Sequence, residues 1–329
     1  MIFTGDTVII EHKSSSQDIE EGSAFWKRLR LDSQSTNYFH AARAMGFEPK
    51  AVLFDVVRKP RFKPLKATPV EVRKYTKPTK AEPTPRLYAN QRAEDETLDE
   101  YRMRLRTDIE ASPDSYYKRG VVVRSQDEER EGRHDAWDVA DQITLAKKTG
   151  RWMRNVDACE RFNRFCDHWA VCCGETSHAD LTRFRQAKRS HEELDGKHRL
   201  PLVTTSGMKT FRRCAREYFF SYEQGYRSVE RADALAFGTL LHAGLEVWWK
   251  TVDLDAVMKT IGEATTDPLH LVMAQELMRG YHARWCEEPF NVLAVEHEFA
   301  VPLLDPTTGE ASKVWELGGK IDAIATRAA

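Results

Sequence analysis

Apolar and polar positions divide the chain into blocks of different period. Thr7-Val8-Ile9-Ile10-Glu11, following a Gly5-Asp6 turn, is a short apolar run that predicts a strand, and Ala51 to Arg58 (AVLFDVVR), ended by Pro60, predicts another. Between them the pattern from Ser23 to Met45 predicts a helix, closed by Gly46. Phe211 to Tyr226 and Ala234 to Lys250 predict two further helices. Val292 to Leu303 and Lys313 to Ala325 alternate as two long strands separated by the turn Asp305-Pro306-Thr307-Thr308-Gly309. Residues 93 to 111 and 135 to 150 are charged helical stretches, and Ser177 to Leu200 is a charged connector. No internal repeat is visible.

Composition sharpens this picture only locally. With 329 residues and 41% hydrophobic content the chain can bury a sizeable core in one or two domains. Its 50 Lys and Arg nearly balance 51 Asp and Glu, so any basic surface for nucleic acid must be local. One such stretch is residues 58 to 86, with ten Lys or Arg, six prolines, and only Glu71 and Glu82 acidic. It reads either as a solvated linker or as a DNA-contacting arm. The segment Met1-Ile2-Phe3-Thr4-Gly5-Asp6 breaks before an apolar core forms, and no uncharged apolar run approaches the ~20 residues that span a bilayer. A cytoplasmic location without membrane contact is therefore expected, and in that setting six cysteines suggest metal binding or free thiols.

Three constellations carry chemistry. The first joins Glu11-His12-Lys13 near one end to Gly319-Lys320-Ile321-Asp322 near the other. Carboxylates ending neighbouring strands can hold a divalent metal, while a lysine steadies an attacking water or the phosphate charge. His242 and Glu246 share a helix face. His242 alone would pass for a packed core residue, but with Asp322 and Glu11 it completes a reasonable site for manganese or magnesium. The second constellation is Gln34 and Tyr38, four apart on the 23 to 45 helix: a surface pair taken alone, or a hydrogen-bonding pair that positions a phosphate or Lys13. The third is Cys159-x6-Cys166-x5-Cys172-Cys173 with Cys214 further on. Zinc and an iron-sulfur cluster both accept four thiolates, and the spacing, unlike the two-residue pairs of zinc ribbons, favours the cluster. Cys286, beside Trp285, reads as an ordinary buried thiol.

These residues resemble the PD-(D/E)XK nuclease superfamily, in particular its RecB-like and AddB-like exonuclease branch, which includes CRISPR-associated exonucleases and phage homologues. The resemblance is carried by TFRRCAREYFFSYEQGYR (210 to 227), FGTLLHAGLE (237 to 246), GGKIDAI (318 to 324), VIIEHKSS (8 to 15), QSTNY (34 to 38) and CERFNRFCDHWAVCCGE (159 to 175). It implies His242, Asp322 and Glu11 as ligands of Mn2+ or Mg2+, Lys13 as the catalytic lysine, and Gln34 and Tyr38 as the motif that follows it. It also implies that Cys159, Cys166, Cys172 and Cys214 hold a [4Fe-4S] cluster, with zinc as the alternative and Cys173 able to replace Cys172.

Motif order departs from the family, because the Glu-x-Lys strand, the Gln/Tyr helix and the cysteine cluster come first. A cut between the Asp and Glu-x-Lys strands, with the old ends joined through the connector, converts one order into the other: a circular permutation. The expected fold is α/β, a mixed β-sheet flanked by helices in a restriction-endonuclease-like core, circularly permuted, with a helical iron-sulfur region. Residues 1–58 would form the second half of the nuclease core, 59–92 a basic arm, 93–174 an accessory helical region with the cysteines, 175–207 a connector and 208–329 the first half of the core. The expected activity is metal-dependent DNA hydrolysis from an end, with recombination or CRISPR-type proteins as partners. Arg212, Arg213 and Arg216 are candidate phosphate contacts or simply an exposed basic face. A non-catalytic DNA-binding or scaffolding module and a zinc-stabilised nuclease completed by domain swapping are the alternatives.

Overall fold

The computed structural model describes residues 4–78, 84–161, 164–194, 196–230 and 233–328. Residues 79–83 of the basic stretch, 162–163 in the cysteine segment and 195 in the connector lie outside the described residues. In chain order the strands are β1 (Thr7–Ser15), β2 (Pro49–Arg58), β3 (Tyr117–Val122), β4 (Glu160–Arg161), β5 (Arg164–Phe165), β6 (Phe184–Gln186), β7 (Leu202–Thr204), β8 (Tyr226–Ser228), β9 (Phe290–Leu304) and β10 (Ala311–Arg327). The helices are α1 (Ala24–Arg30), α2 (Ser33–Ala44), α3 (Leu98–Ala111), α4 (Gln126–Thr149), α5 (Trp169–Cys172), α6 (Thr205–Arg213), α7 (Ala215–Tyr218), α8 (Asp233–Thr251), α9 (Leu254–Ala264) and α10 (Pro268–Trp285).

Six strands form a central mixed sheet in the order β3-β2-β1-β10-β7, with β9 also paired to β10. β1 runs parallel to β2 and antiparallel to β10, while β7 joins β10 in parallel. The apolar run of β1 is buried on both faces: Ile9 packs into a cluster with α2, α4 and α6, and Val8 and Ile10 pack into another with α3, α8, α9 and α10. A sheet covered on both faces has near-continuous hydrophobic strands, which is why Thr7 to Glu11 does not alternate. The mixed sheet flanked by helices has the architecture of a restriction-endonuclease-like core. Among the described residues no helix is long and apolar enough to cross a membrane.

Local chemistry sets several boundaries that differ from the sequence expectation. The helix expected over 23 to 45 is two helices, because Asp32 leaves helical geometry and its carboxylate accepts the Gln34 N–H as the cap of α2. Leu31, at the break, is 84% exposed. The helix expected over 211 to 226 starts earlier, where the Thr204 hydroxyl accepts the Gly207 N–H, and breaks at Cys214, whose backbone is extended. A π-helical turn over Phe219–Glu223 follows α7. The 135 to 150 helix begins at Gln126, fixed by a reciprocal capping box between Ser125 and Glu128. Helices α9 and α10 were not anticipated, although Asp253 and Asp267 cap them and Pro268 occupies the first turn of α10. The accessory region 93–174 also supplies β3, an edge strand of the central sheet. Cys286 is exposed, contrary to the expected buried thiol, because it lies where α10 ends.

Candidate active site

A gap in the sheet creates the site. One edge of β10 pairs with β9; the other pairs with β7 over Glu316 to Gly318 and with β1 over Ala323 to Thr326. Between those two pairings, Gly319 to Asp322 have no strand partner on that edge among the described residues. Beyond Ile10, β1 parts from β10 and continues beside β2 as far as Ser15. Side chains satisfy the backbone groups that this divergence would orphan: Asp322 Oδ2 accepts the His12 N–H at 2.7 Å, and the Tyr38 hydroxyl donates to the Lys320 carbonyl at 2.8 Å. A cavity of about 340 Å³ opens there, lined by Glu11, Gln34, Tyr38, Lys209, His242, Lys320 and Asp322 among others.

Alternation along β1 points Glu11 and Lys13 to the α2 side and His12 to the α8 side. The Lys13 ammonium donates to Glu11 Oε1 at 2.5 Å and to Gln34 Oε1 at 2.9 Å. Gln34 Nε2 in turn donates to Glu11 Oε1 at 2.8 Å and to the Tyr38 hydroxyl oxygen at 2.7 Å. The i,i+4 spacing on α2 thus turns both side chains towards the Glu-x-Lys strand. Lys209, from α6, is held at the rim by Asp32 at 2.9 Å.

His242 enters from α8, whose first turns lie close to β1: a Cβ on Gly238 would sit 3.2 Å from the Ser14 hydroxyl. Ligand atoms of His242, Asp322 and Glu296 all lie within 4.8 Å of one another. Glu296 was not anticipated. Its signal was the charged triplet Glu296-His297-Glu298 inside an otherwise apolar strand, in register with Asp322. Core packing shows how it arrives. In β10, Leu317 and Ile321 belong to the α2-side cluster, but Ala323 and Ala325 belong to the other. In β9, Phe299, Val301 and Leu303 belong to the α2-side cluster, while Val295 packs against the other. The buried face of each strand therefore changes sides around the facing pair Asp322 and Glu296, while the pairing register runs on unchanged from Ile321 and His297 to Ala323 and Val295. Glu296 has φ of 51°, a left-handed conformation that costs a side-chain-bearing residue roughly 1–2 kcal/mol.

Burial and like charge leave this cluster electrostatically unbalanced. The Asp322 carboxyl is raised to about 7, first by desolvation and then by the Glu11 charge, against the opposing effect of His12. His242 is lowered to about 3, first by burial and then by the positive charges of His12, Lys13 and Lys320, so its imidazole is neutral and can act as a ligand. Burial would lower Lys13, yet the charge and hydrogen bond of Glu11 outweigh it and keep the ammonium protonated. Glu11 is 3% exposed and its Oε2 has no hydrogen-bond partner. Among the described residues, His242, Glu296 and Asp322 are a compact donor set that fits manganese or magnesium, whereas Glu11, with its orphaned buried oxygen, lines the same cavity but stands outside that set.

Other expected residues lie elsewhere. Cys159, Cys166, Cys172 and Cys214 are free thiols. Cys159 and Cys172 are raised, first by burial and then, for Cys159, by the neighbouring Cys214; Cys166 is pushed up to about 12 by burial and next by Glu217. Among the described residues, ligand atoms draw within 4.8 Å only in the His242 group, so the thiols do not form an equally compact set. Arg212 pairs with Asp135 at 3.2 Å, Arg213 forms a two-pronged pair with Glu217, and Arg216 lies over the Phe220 ring. The basic stretch is anchored by Lys59, which pairs with Asp233 at 3.2 Å and sits 4.5 Å from the Phe237 ring centroid at the start of α8.

No curated protein and no solved structure matches the chain. The matched family region contains His242, Glu296 and Asp322, whereas Glu11, Lys13, Gln34 and Tyr38 lie outside it. Residues 203–329 match the PD-(D/E)XK nuclease superfamily and carry a domain of that superfamily.

Proposed function

We propose that the protein hydrolyses DNA phosphodiester bonds in a divalent-metal-dependent reaction, acting from a free end as a RecB- or AddB-like exonuclease of circularly permuted order. The observation that supports this most is a single cavity lined by Glu11, His242 and Asp322, with Lys13 bonded to Glu11, although these residues come from both ends and the middle of the chain. Antiparallel neighbours β1 and β10, with Thr7 opposite Thr326, are the pair that the unpermuted order would join by a turn. That Glu11 and Asp322 of one chain line one cavity supports a site completed within a single chain over one completed by domain swapping.

His242, Asp322 and Glu11 would hold the ion. A divalent cation held there would supply Lewis-acid chemistry for water activation and for neutralising charge at the scissile phosphate. Lys13, kept charged by Glu11 and aimed by Gln34, stabilises the negative charge that grows on the phosphate. Tyr38 fixes Gln34 and the Lys320 carbonyl, so the lysine is oriented before substrate arrives. The backbone of Gly319 to Asp322, unpaired on that edge, leaves room for a phosphodiester to approach.

Cys159, Cys166, Cys172 and Cys214 are proposed as ligands of a [4Fe-4S] cluster, with zinc as the competing occupant. Support comes from the family resemblance and from Cys214, which lies close enough to Cys159 and Cys172 for its charge to add to burial in raising both thiols, although it comes from a distant segment of the chain. DNA contact by Arg212 and Arg213 would exchange their present partners Asp135 and Glu217 for phosphates.

The test is anaerobic purification followed by manganese-dependent digestion of end-labelled single- and double-stranded DNA. Stepwise release of label from one end is expected. Stoichiometric DNA binding without cleavage under any divalent ion would replace the nuclease by a scaffolding module that retains the fold.

A further inference from the structure

Three side chains approach closely enough to share one ion, and one of them, Glu296, lies outside the ligand set that the motifs supply. Glu296 sits opposite Asp322 on the neighbouring strand, where the buried faces of both strands change sides, and its backbone is held at a positive φ that a glutamate does not adopt freely. Strain of this kind persists where the surrounding packing enforces it, and here the consequence is a second carboxylate beside Asp322 and His242. Its charge is not left open. Lys320 pairs with Glu296, and Lys320 also lines the cavity. An independent observation points to a cation in the same cavity: Glu11, almost wholly buried, presents an oxygen with no partner.

We propose that Glu296 is a metal ligand alongside His242 and Asp322, and that Lys320 is a built-in counter-cation that leaves Glu296 when the metal enters. The inference deepens the metal-centre part of the proposed function and rests on it. An ammonium on a flexible stem can neutralise a carboxylate without fixing its geometry, whereas a divalent ion draws several oxygens and an imidazole to a common point. In the ion-free protein Lys320 therefore relieves the repulsion between Glu296 and Asp322. On metal entry the double charge takes over that role and the lysine is free to turn into the cavity. Lys320 and the ion compete for one carboxylate, so removing each partner of the pair has opposite consequences for metal affinity.

Binding of Mn2+ alone, read by calorimetry and by loss of the free-ion electron paramagnetic resonance signal, tests this without reference to turnover. Glu296→Gln, nearly isosteric, is expected to weaken Mn2+ binding by at least about 10-fold, the scale on which even an outer partner of a metal ligand acts. Its ion-free thermal midpoint should stay close to that of the unmodified protein. Lys320→Met is expected to tighten Mn2+ binding, which a purely structural ion pair would not do. Unchanged Mn2+ affinity in Glu296→Gln overturns the ligand assignment, and unchanged or weaker affinity in Lys320→Met overturns the competition. If Glu296→Gln fails to fold, Lys320→Met carries the test alone. Should the unmodified protein cleave DNA while Glu296→Gln binds Mn2+ normally, the inference falls and the nuclease reading stands. Should Mn2+ binding depend on Glu296 in a protein that cleaves nothing, the reverse holds.

Discussion

Glu11 and His12 are neighbours on β1, 3% and 2% exposed, yet they face opposite sides of the sheet and meet opposite electrostatic treatment. Behind the sheet, His12 Nδ1 lies 3.5 Å from Asp55, which is 1% exposed. Asp55 also pairs with Arg119 at 3.1 Å and accepts the Tyr281 hydroxyl, and Arg119 reaches Glu288 and lies 4.0 Å from the Trp285 ring centroid. Although burial would raise Asp55, the charge of Arg119 and the contact with His12 hold its carboxyl far below the usual carboxylate range. Asp55 and Arg119 each have partners of opposite sign, while His12 approaches Asp55 without either ring nitrogen making a hydrogen bond. In front of it, Glu11 keeps an unpartnered oxygen and Asp322 is pushed up, so the cluster has negative capacity that the protein itself does not meet. Burial alone therefore separates nothing; the difference lies in whether the fold supplies the counter-charge. A matched network stabilises, and an unmatched one waits for a ligand.

The sharpest way to break this contrast is Asp55→Asn. It leaves Arg119 buried beside a neutral group and is expected to cost about 3–5 kcal/mol of stability in denaturant unfolding. The pH dependence follows from the lowered carboxyl: its contribution is fully present above the unfolded-state value of about 3.9 and is lost progressively as pH falls from there through the still lower folded value. The gap between the two proteins should therefore close in strong acid, and it should also narrow as pH rises through the His12 transition, because Asp55 helps to raise that imidazole against the opposing effect of burial. A small, pH-independent gap would mean the network is not matched as described.

Lys13→Ala probes the front of the same strand and should behave in the opposite manner. Turnover on DNA is expected to fall about 100- to 1,000-fold, as when one preorganised donor to a developing charge is removed, with stability little changed. Full activity, or a stability loss as large as that of Asp55→Asn, would erase the distinction. Cys214→Ala extends the test to a third region. If the thiols hold a metal centre, the variant should lose bound iron or zinc by elemental analysis and unfold at lower temperature, whereas unaltered metal content and midpoint would leave Cys214 an ordinary thiol. The smallest effect expected is that of Tyr38→Phe, which removes one hydroxyl that donates to Lys320 and accepts from Gln34. About 1 kcal/mol, roughly a fivefold loss of turnover, would be measured in the digestion assay.

Much of the front of the site was legible in residue spacing. Gln34 and Tyr38 four apart on a helix and Glu11 and Lys13 two apart on a strand share faces whatever the rest of the fold does, and all four meet in the hydrogen-bonded group around Glu11. The network behind was not legible. Asp55 looks like a misplaced charge inside AVLFDVVR, and only the arrival of Arg119 from β3 and Tyr281 from α10 gives it partners.

What the sequence determined by itself is set by short-range periodicity and capping: the apolar runs of β1 and β2, the alternating hairpin of β9 and β10, the helix bearing His242, and the pairing of residues on each face. Tertiary structure alone decided that one edge of Gly319 to Asp322 is left without a strand partner between β7 and β1 among the described residues, that the buried faces of both strands change sides around Asp322 and Glu296, and that Glu296 joins His242. Those outcomes depend on which strand edge meets which and on where two core clusters exchange residues. Such choices are made by packing between segments far apart in the chain, and no local pattern encodes them.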